Sequence, residues 1–283
     1  MTDQASFKRV WFITGASRGI GAEIAAAALS NGDAVVATAR KSKAIAETFG
    51  EQAALLPIDL DVTSEAAAHE AVKLAVQRFG RIDVLVNNAG YGLAGAVEEA
   101  SAAEVRNIYE TNVLGLLNVT RAVLPQMRGQ RGGHVINISS LGGYQVGAGF
   151  GVYGSTKFAV EGLSESLHAE LAPLGIHVTV VEPGYFRTEF LDSSSVVESK
   201  TVIDDYADTA GRVRATAKAY NGKQPGDPKR LARAMLTLVQ AETPPLRLQM
   251  GTDAVARIRE KNAFVESELQ AWESLARSTD FPA

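Results

Sequence analysis

Residues 10–21 read VWFITGASRGIG, a short apolar run that leads directly into a glycine-rich turn. The apolar segment AEIAAAALS follows, and Asn31 and Gly32 form a stop signal for a helix. This pattern predicts a strand, a tight turn and a helix in immediate succession. Glycines at positions 15, 19 and 21 let the backbone turn sharply, and the helix N-terminus offers unpaired N–H groups to a phosphate. The stretch predicts either a phosphate-binding turn or a purely structural one.

The alternation of strand and helix patterns continues along the chain. Further apolar runs predict buried strands at residues 34–38, 54–58, 82–86, 134–140, 177–181 and 246–250. No linker rich in Pro, Ser and Gly divides the 283 residues. We therefore expect an α/β fold: one doubly wound domain over residues 1–283, with a mostly parallel seven-stranded sheet and helices on both faces.

Composition excludes several classes of protein. The formal net charge is −4 and the basic residues are scattered, which argues against a nucleic-acid partner. Because the chain has no cysteine, it has no disulfide scaffold and no thiolate metal site. The histidines at positions 69, 134, 168 and 177 lack metal-ligand spacing, so no metal is expected. The apolar run VWFI is too short for a signal or membrane segment, so we expect a cytoplasmic protein without a membrane partner.

Residues 134–161 contain the main candidates for chemistry. Tyr153 and Lys157 are four residues apart in a helical pattern, which places a phenol and an ammonium group on one helix face. A nearby cation favours the phenolate and lowers its pKa from about 10, so Tyr153 is predicted to act as a general acid or base. Ser139 and Ser140 stand where the preceding strand stops, a usual place for active-site groups. An exposed helix face is the alternative interpretation of the Tyr153 and Lys157 pair.

The end of the second predicted strand, ATARKSK, bears on the choice of cofactor. A NAD site usually has an acidic residue here to hold the ribose 2′-hydroxyl, whereas a 2′-phosphate calls for arginine. Arg40 stands at this position, no acid precedes Glu47, and Arg18 adds a second guanidinium in the glycine turn. The pattern favours NADP(H). Lys41 and Lys43 also fit the solvated start of a helix.

Polar residues follow or interrupt other apolar segments. Asn87 and Asn88 come after the fourth strand in NNAG, where they serve either as turn residues or as part of a nucleotide site. Ser101 and Glu104 predict a capping box that opens a helix. That helix carries Asn112 in an apolar second half, so its amide is either structural or part of the site.

Together these motifs resemble the short-chain dehydrogenase/reductase family. The matching segments, in order, are TGASRGIG at 14–21, DV at 61–62, NNAG at 87–90, Asn112, the set Ser140, Tyr153 and Lys157, and PGYFRT at 183–188. The resemblance implies a Rossmann-type fold and an NADP(H)-dependent oxidoreductase that interconverts a ketone or aldehyde and an alcohol. Within the family, VVATAR and LRLQMGTDA are similar to the NADP-preferring branch with 17β-hydroxysteroid and retinol dehydrogenases.

The resemblance also implies a role for each matching residue. Ser140 resembles the hydroxyl that holds the substrate carbonyl, Tyr153 the proton donor, and Lys157 the residue that tunes this phenol and binds the nicotinamide ribose. Asn112 resembles the residue that keeps a water in the proton relay. The residues that match cofactor contacts are Gly15, Ser17, Arg18, Gly19, Ile20, Gly21, Arg40, Asp61, Val62, Asn88, Ala89, Gly90, Tyr153, Lys157, Pro183, Gly184, Phe186 and Thr188.

Beyond residue 188 the motifs are less specific. Residues 189–228 form a long insertion where the family places substrate-covering helices. Residues 193–195 within it are interpreted as a solvated turn, with a hinge as the alternative. An apolar pocket would predict a neutral, fairly hydrophobic carbonyl substrate with no fixed charge beside it. Its candidate lining residues, each of which also fits ordinary core, are Leu93, Leu141, Tyr144, Val146, Tyr185, Phe186, Phe190 and Leu191.

The C-terminal residues 252–283 predict a helical tail. Val265, Leu269, Trp272 and Ala276 stand at seam spacing, which predicts packing on the parent domain or, alternatively, a subunit contact. By analogy with the family we expect a homo-oligomer, a dimer or tetramer. The alternative function is a non-catalytic NADP(H)-binding redox sensor, although such a protein need not retain Tyr153 and Lys157. A sugar-nucleotide epimerase is a third candidate, but its glycine spacing differs.

Overall fold

A parallel sheet forms the centre of the computed structural model, which describes residues 7–192 and 195–281. The strands, in chain order, are β1 (Val10–Thr14), β2 (Ala34–Ala39), β3 (Leu55–Asp59), β4 (Val84–Asn87), β5 (Gly92–Ala94), β6 (Gly133–Ile138), β7 (Ile176–Pro183), β8 (Val196–Glu198) and β9 (Arg247–Met250). Seven of them pair in the order β3-β2-β1-β4-β6-β7-β9, all parallel. Strand order reverses between β1 and β4, so a crevice opens at the carboxyl ends of these strands.

Helices cover both faces of this sheet. They are α1 (Gly19–Ser30), α2 (Lys43–Phe49), α3 (Glu65–Phe79), α4 (Ala102–Tyr109), α5 (Gly115–Gln130), α6 (Gly151–Leu171), α7 (Arg212–Tyr220), α8 (Pro228–Leu238) and α9 (Thr252–Arg277). Because side chains alternate along a strand, Phe12 of β1 packs in the core with α3 and α5, whereas Trp11 packs in the core with α1 and α8. The predicted doubly wound, Rossmann-type domain with a seven-stranded sheet is confirmed.

Strand β4 starts later than the sequence pattern predicts, at Val84 rather than at residue 82. The side chain of Gln130, at the end of α5, accepts a hydrogen bond from the Ile82 amide at 3.0 Å and donates to the Ile82 carbonyl at 2.8 Å. Ile82 is fully buried, as the apolar pattern requires, but its backbone polar groups are satisfied by this amide.

The helix predicted to carry Asn112 is not one regular helix. Its start is as expected, because Ser101 and Glu104 form the predicted capping box at the N-terminus of α4. A π-helical turn over Glu110–Leu114 then separates α4 from α5. A π turn adds a residue within the helix and changes the direction in which side chains point. Here it places Asn112 in the interior, 1% exposed.

A second, two-stranded sheet joins the segment after β4 to the segment after β7. Strand β5 pairs in parallel with β8, and the sequence pattern predicts neither strand. Next to this sheet, buried Glu99 pairs with Arg214 of α7 at 2.5 Å. The same carboxylate accepts hydrogen bonds from the backbone amides of Ala96 at 2.7 Å and Ile203 at 2.9 Å. Glu99 therefore anchors residues 203–214 to the main body.

Glu99→Gln is expected to loosen residues 203–214. Arg214 and the two amides hold the pKa of the Glu99 carboxyl at about 2, below its ordinary 4.5. A lowered pKa in the folded protein stabilises this contact above pH 4.5, and the stabilisation is lost as pH falls toward 2. Hydrogen exchange of these amides should rise about tenfold in the variant at pH 7, since the buried guanidinium loses its counter-charge.

Asp208→Asn is the matched control, because Asp208 pairs with Arg212 on the same segment but both side chains are exposed. Its exchange rates should equal those of the wild type. The wild type and Asp208→Asn should both lose protection in this segment between pH 4.5 and 2, whereas Glu99→Gln should not show this pH-dependent loss. Equal protection in Glu99→Gln and wild type at pH 7 would show that the ion pair does not anchor the segment.

The C-terminal helix α9 contacts the body only through its first turns. Ala254 and Ile258 are buried against Leu141. Farther along, Val265, Leu269 and Trp272 are exposed at 47%, 57% and 64%. The expectation that this seam packs on the parent domain is therefore wrong within the described residues, because the helix extends past the edge of the body. A subunit contact stays a prediction.

Candidate active site

A cleft of about 1050 Å³ lies at the carboxyl ends of the parallel strands. It is lined by most of the residues predicted for the site, namely Gly15, Ser17, Arg18, Gly19, Ile20, Arg40, Asp61, Val62, Asn88, Ala89, Gly90, Ser140, Tyr153, Lys157, Pro183, Gly184, Phe186 and Thr188. Two predicted residues, Gly21 and Asn112, do not line it. The structure therefore brings residues from the whole length of the chain to one crevice.

The glycine turn passes close to the end of β4. Gly15 has a φ of +65°, a conformation that L side chains rarely adopt, and a Cβ there would lie 3.0 Å from Cα of Ala89. At Gly21 a Cβ would lie 2.5 Å from both Nδ2 of Asn88 and the carbonyl oxygen of Gly15. Gly21 thus permits close packing of α1 behind the turn and has no need to face the cleft. At the N-terminus of α1, Arg18 makes no side-chain cap, which leaves the first N–H groups for a phosphate.

Thr14, which belongs to the TGASRGIG motif but has no role assigned from the sequence, holds the turn and the NNAG segment together. Its hydroxyl accepts hydrogen bonds from the amides of Asn88 at 2.9 Å and Ala89 at 3.0 Å. The Asn88 side chain donates in return to the carbonyls of Thr14 at 3.0 Å and Gly15 at 3.1 Å. A threonine at the buried end of the first strand is the signal that could have identified this role.

Asn87, next to Asn88, has a structural role. Its amide donates to Thr120 of α5 and to Asn137 of β6, both at 2.9 Å. Asn137 in turn donates to the Ser164 hydroxyl of α6 at 2.9 Å. This buried network links two strands to helices on one face of the sheet, and Asn87 does not line the cleft.

Arg40 is exposed at the end of β2 and borders the cleft. It is close enough to Asp61 to help lower the pKa of that carboxyl, although hydrogen bonds from Thr63 have the larger effect. Arg18 also borders the cleft, and its guanidinium donates to the Ser195 hydroxyl at 2.8 Å. Residues 193 and 194 of the predicted solvated turn lie outside the described residues.

Ser140, Tyr153 and Lys157 meet where β6 and α6 border the cleft. Ser140 lies close enough to Tyr153 to lower the pKa of the phenol. Lys157 donates to the carbonyl of Ile138 at 2.9 Å, and its Nζ lies 5.9 Å from the centre of the Tyr153 ring. The phenol and the ammonium group therefore share one crevice, as their spacing in the sequence predicts.

Burial dominates the pKa values of this pair. It raises the pKa of Tyr153 to about 12, against a smaller lowering by the nearby Ser140 side chain. It lowers the pKa of Lys157 to about 8, while the carboxylate of Glu161 opposes this. The expectation that the cation brings the phenol pKa below 10 is not met in the protein without cofactor, because desolvation of the phenolate costs more than a nearby charge returns. Tyr153 is therefore fully protonated at neutral pH.

Asn112 lies behind this pair, not beside the cleft. Its amide oxygen accepts a hydrogen bond from the Tyr91 amide at 3.0 Å, and its amide nitrogen donates to the Tyr91 carbonyl at 2.9 Å. The amide nitrogen also donates to the Thr156 hydroxyl at 3.1 Å, and Thr156 donates to the Tyr153 carbonyl at 2.7 Å. Asn112 thus fixes the backbone around both Tyr91 and Tyr153. Its role in holding a water stays a prediction.

An apolar wall adjoins the reactive hydroxyls. Six of the eight candidate pocket residues line the cleft, namely Leu141, Val146, Tyr185, Phe186, Phe190 and Leu191. Leu93 instead packs in a small core with Tyr153, and the Tyr144 hydroxyl donates to Asn262 of α9 at 2.5 Å. Arg257 of α9 also lines the cleft. The expectation of a pocket without charge is therefore wrong, because the C-terminal helix folds back beside Leu141.

Asp253 is a further residue that the sequence analysis missed. It lies in the first turn of α9, and its carboxylate accepts a hydrogen bond from the Tyr185 amide at 2.8 Å. A Cβ on Gly184 would overlap with this carboxylate, so the glycine lets Asp253 reach the backbone. Asp253 fixes the PGYFRT segment that borders the cleft. The acidic residue after Gly251, at a helix start, was the available signal.

Within residues 7–192 and 195–281, no group of three or more His, Asp or Glu side chains is placed to hold a metal ion. None of the helices in that part of the chain is both long and apolar enough to cross a membrane.

The chain is similar to several known proteins along most of its length. The relative BOA17, an oxidoreductase of Botryotinia fuckeliana, is 40% identical over 271 residues, which cover 95% of this chain and 98% of BOA17. A 3-ketodihydrosphingosine reductase of Bacteroides thetaiotaomicron is 38% identical, over 86% of this chain and 88% of its own length. A solved short-chain dehydrogenase from Streptomyces avermitilis is 41% identical and superimposes with a TM-score of 0.88, over 96% of this chain and 100% of its own.

Solved structures of more distant relatives contain either dinucleotide. A 3-ketoacyl-(acyl-carrier-protein) reductase from Brucella melitensis, complexed with NADH, is 26% identical with a TM-score of 0.73, over 86% of this chain and 96% of its own. A serine dehydrogenase complexed with NADP⁺ is 29% identical with a TM-score of 0.72, over 85% and 94%. The family model for short chain dehydrogenases matches residues 9–198. The chain therefore belongs to the short-chain dehydrogenase family of oxidoreductases.

Proposed function

We propose that the protein is an NADP(H)-dependent reductase that interconverts a ketone or aldehyde and an alcohol on a neutral, fairly hydrophobic small molecule. The observation that carries this proposal is the position of the protonated Tyr153 hydroxyl. It lies near Ser140 and Lys157, in the same cleft as the glycine turn. A relative named for reduction of a 3-keto compound supports a ketone as the reacting group.

The residues present fit a dinucleotide. The glycine turn leaves the N-terminus of α1 free of side-chain caps, and Arg40 stands at the end of β2 with no acid on that strand. We propose that Arg40 and Arg18 bind the 2′-phosphate of NADP(H) and that Asp61 and Val62 lie beside the adenine. Asn88, Ala89 and Gly90 would support the adenosine, and the 183–188 segment would hold the nicotinamide end.

The chemistry divides between cofactor and protein. The nicotinamide, when bound, supplies the hydride. The pKa of Tyr153 is about 12, so its phenol is protonated at neutral pH. It gives this proton to the alkoxide that develops on the substrate. The Ser140 hydroxyl, fixed by the Gly142 amide at 3.0 Å, orients and polarises the substrate carbonyl. The Lys157 ammonium stabilises the charge left on the phenol.

The segment after β7 is proposed to cover the substrate. Phe190 packs 5.9 Å from the Tyr153 ring, and Tyr185 packs 5.5 Å from Tyr220, measured between ring centres. These aromatic contacts exclude water beside the reactive hydroxyl. The apolar side chains favour a hydrophobic substrate body, and Arg257 would tolerate a polar group at its outer end. Assignment to the hydroxysteroid and retinol branch stays part of this proposal.

Arg40→Ala is expected to weaken NADPH binding about tenfold and leave NADH binding unchanged, because one charge-assisted contact to the 2′-phosphate is lost. Calorimetric titration of both nucleotides measures the ratio. Lys43→Ala is the control, since Lys43 is exposed, pairs with Glu47 and does not line the cleft. An equal loss for both nucleotides, or none, would reject Arg40 as the 2′-phosphate ligand.

Turnover separates the reductase from a redox sensor. NADPH absorbance is followed with a panel of ketones, aldehydes and quinones that carry apolar groups. The proposal expects substrate-dependent decay. Tight NADPH binding with no decay on any substrate would favour the sensor.

A further inference from the structure

A buried cluster of charged side chains adjoins Lys157 outside the cleft. Glu161 follows Lys157 by one turn of α6, Glu182 lies on β7 and Arg247 lies on β9. Nε of Arg247 is 3.2 Å from the carboxylate of Glu161 and 3.5 Å from that of Glu182. Glu161 is 5% exposed and Glu182 is fully buried. Arg247 also pairs with the half-exposed Glu165.

One guanidinium cannot fully neutralise two buried carboxylates and also pair with a third. Burial and, to a smaller extent, the nearby Glu182 carboxyl raise the pKa of Glu161, whereas Ser139 and Arg247 lower it, and the net pKa is about 7. Burial also raises the pKa of Glu182, against the hydrogen bond that Gln249 donates at 3.0 Å. Near neutral pH the two acids therefore hold part of a proton between them.

Glu161 and Lys157 are brought together by a glycine. A Cβ on Gly143 would lie 3.1 Å from Oε1 of Glu161, 3.1 Å from Cβ of Lys157 and 2.5 Å from Oγ of Ser139. The missing side chain lets these three groups pack around one point. The charge on Glu161 raises the pKa of Lys157 against the effect of burial. The charged groups that face Glu161 are thus Lys157 and Glu165 on α6, Glu182 on β7 and Arg247 on β9.

We propose that Glu161 is a positioning residue that keeps Lys157 in its ammonium form, and that Glu182 and Arg247 set how much charge Glu161 carries. The inference rests on the proposed function, which places Lys157 in the active site. As an ammonium group, Lys157 holds the Ile138 carbonyl at the strand end that leads into Ser140. It also offers a positive charge to the phenol of Tyr153. Loss of the Glu161 charge removes the counter-ion that makes a buried ammonium tolerable.

The test measures the titration of Lys157 directly, by the ¹³Cε chemical shift of ¹³C-lysine-labelled protein without cofactor. The Lys157 signal is assigned by its absence from Lys157→Arg. Its midpoint should lie near pH 8 in the wild type. In Glu161→Gln the midpoint should fall by about one unit. Glu165→Gln, which removes another carboxylate from Arg247, should leave it unchanged. An unmoved midpoint in Glu161→Gln would overturn the inference.

The wild type offers a check that needs no variant. The Lys157 signal should show a second, smaller inflection near pH 7, where Glu161 ionises, and a single inflection at pH 8 would contradict the coupling. With a substrate in hand, the alkaline limb of kcat/KM should move to lower pH in Glu161→Gln by the same amount as the midpoint. A lowered midpoint in a protein that reduces no carbonyl would reject the proposed function and support the coupling. Normal turnover with an unmoved midpoint would support the proposed function and reject the coupling.

Discussion

Tyr153→Phe is expected to lower kcat for carbonyl reduction by about 10²- to 10⁴-fold, the usual contribution of a positioned general acid. The substitution removes one hydroxyl and retains the ring that packs against Phe150 and Phe190. The Ser140 hydroxyl stays fixed by the hydrogen bond that the Gly142 amide donates to it. NADPH affinity should therefore change by no more than about tenfold, since one neutral hydrogen bond contributes about 0.5–1.5 kcal/mol. Stopped-flow turnover and fluorescence titration measure the two quantities separately.

Tyr109→Phe provides the matched control. The Tyr109 hydroxyl donates at 2.9 Å to Ser155 of α6, the helix that also carries Tyr153, but Tyr109 does not line the cleft. Its loss should leave kcat unchanged. If Tyr153→Phe retains more than a tenth of wild-type kcat while NADPH binds normally, another group supplies the proton and the assignment of Tyr153 fails.

The sheet was predictable because its signals are local. Buried parallel strands have continuous apolar runs. Helix ends are marked by glycines, by Ser64 at the N-cap of α3 and by the Ser101 capping box of α4. The order of elements therefore follows from residues that are close in the sequence. The π turn at Glu110–Leu114 was not predictable in this way. The turn ends next to Gly115, where a Cβ would lie 2.6 Å from Cγ2 of Val62, a residue distant in the sequence, so the close packing at this point is not encoded locally.

The candidate site also divides into features with local sequence signals and features that depend on contacts between distant residues. Most motif residues line one cleft because a parallel sheet brings the carboxyl ends of its strands to one edge. Pairings across the chain were missed: Glu99 meets Arg214 and Asp253 meets the Tyr185 amide over separations that no periodicity encodes. The pKa of Tyr153 was misjudged for a related reason. Spacing revealed the neighbouring cation, but the degree of burial, which dominates, is a property of the folded chain.

Gly21→Ala is expected to weaken NADPH binding about 100-fold, because a displacement of roughly 1 Å at a binding turn carries a penalty of this size. A Cβ at position 21 would lie 2.5 Å from the Gly15 carbonyl oxygen and from the Asn88 amide nitrogen. Neither can move freely, since Asn88 is held by the carbonyls of Thr14 and Gly15. The turn must therefore shift away from β4, and the first N–H groups of α1 shift with it. Overpacking should also destabilise the fold by about 1–3 kcal/mol.

Gly162→Ala is the matched control, because it makes the same replacement of glycine by alanine at a position with no close neighbour. Gly162 lies inside α6, is exposed, and would place its Cβ in open space. Alanine there should stabilise the protein by up to about 1 kcal/mol, since a helix interior favours alanine over glycine, and NADPH affinity should not change. Thermal unfolding and fluorescence titration on both variants separate a local steric effect from a general effect of adding a methyl group. Wild-type NADPH affinity in a folded Gly21→Ala protein would show that the turn does not bind the cofactor in the conformation seen here.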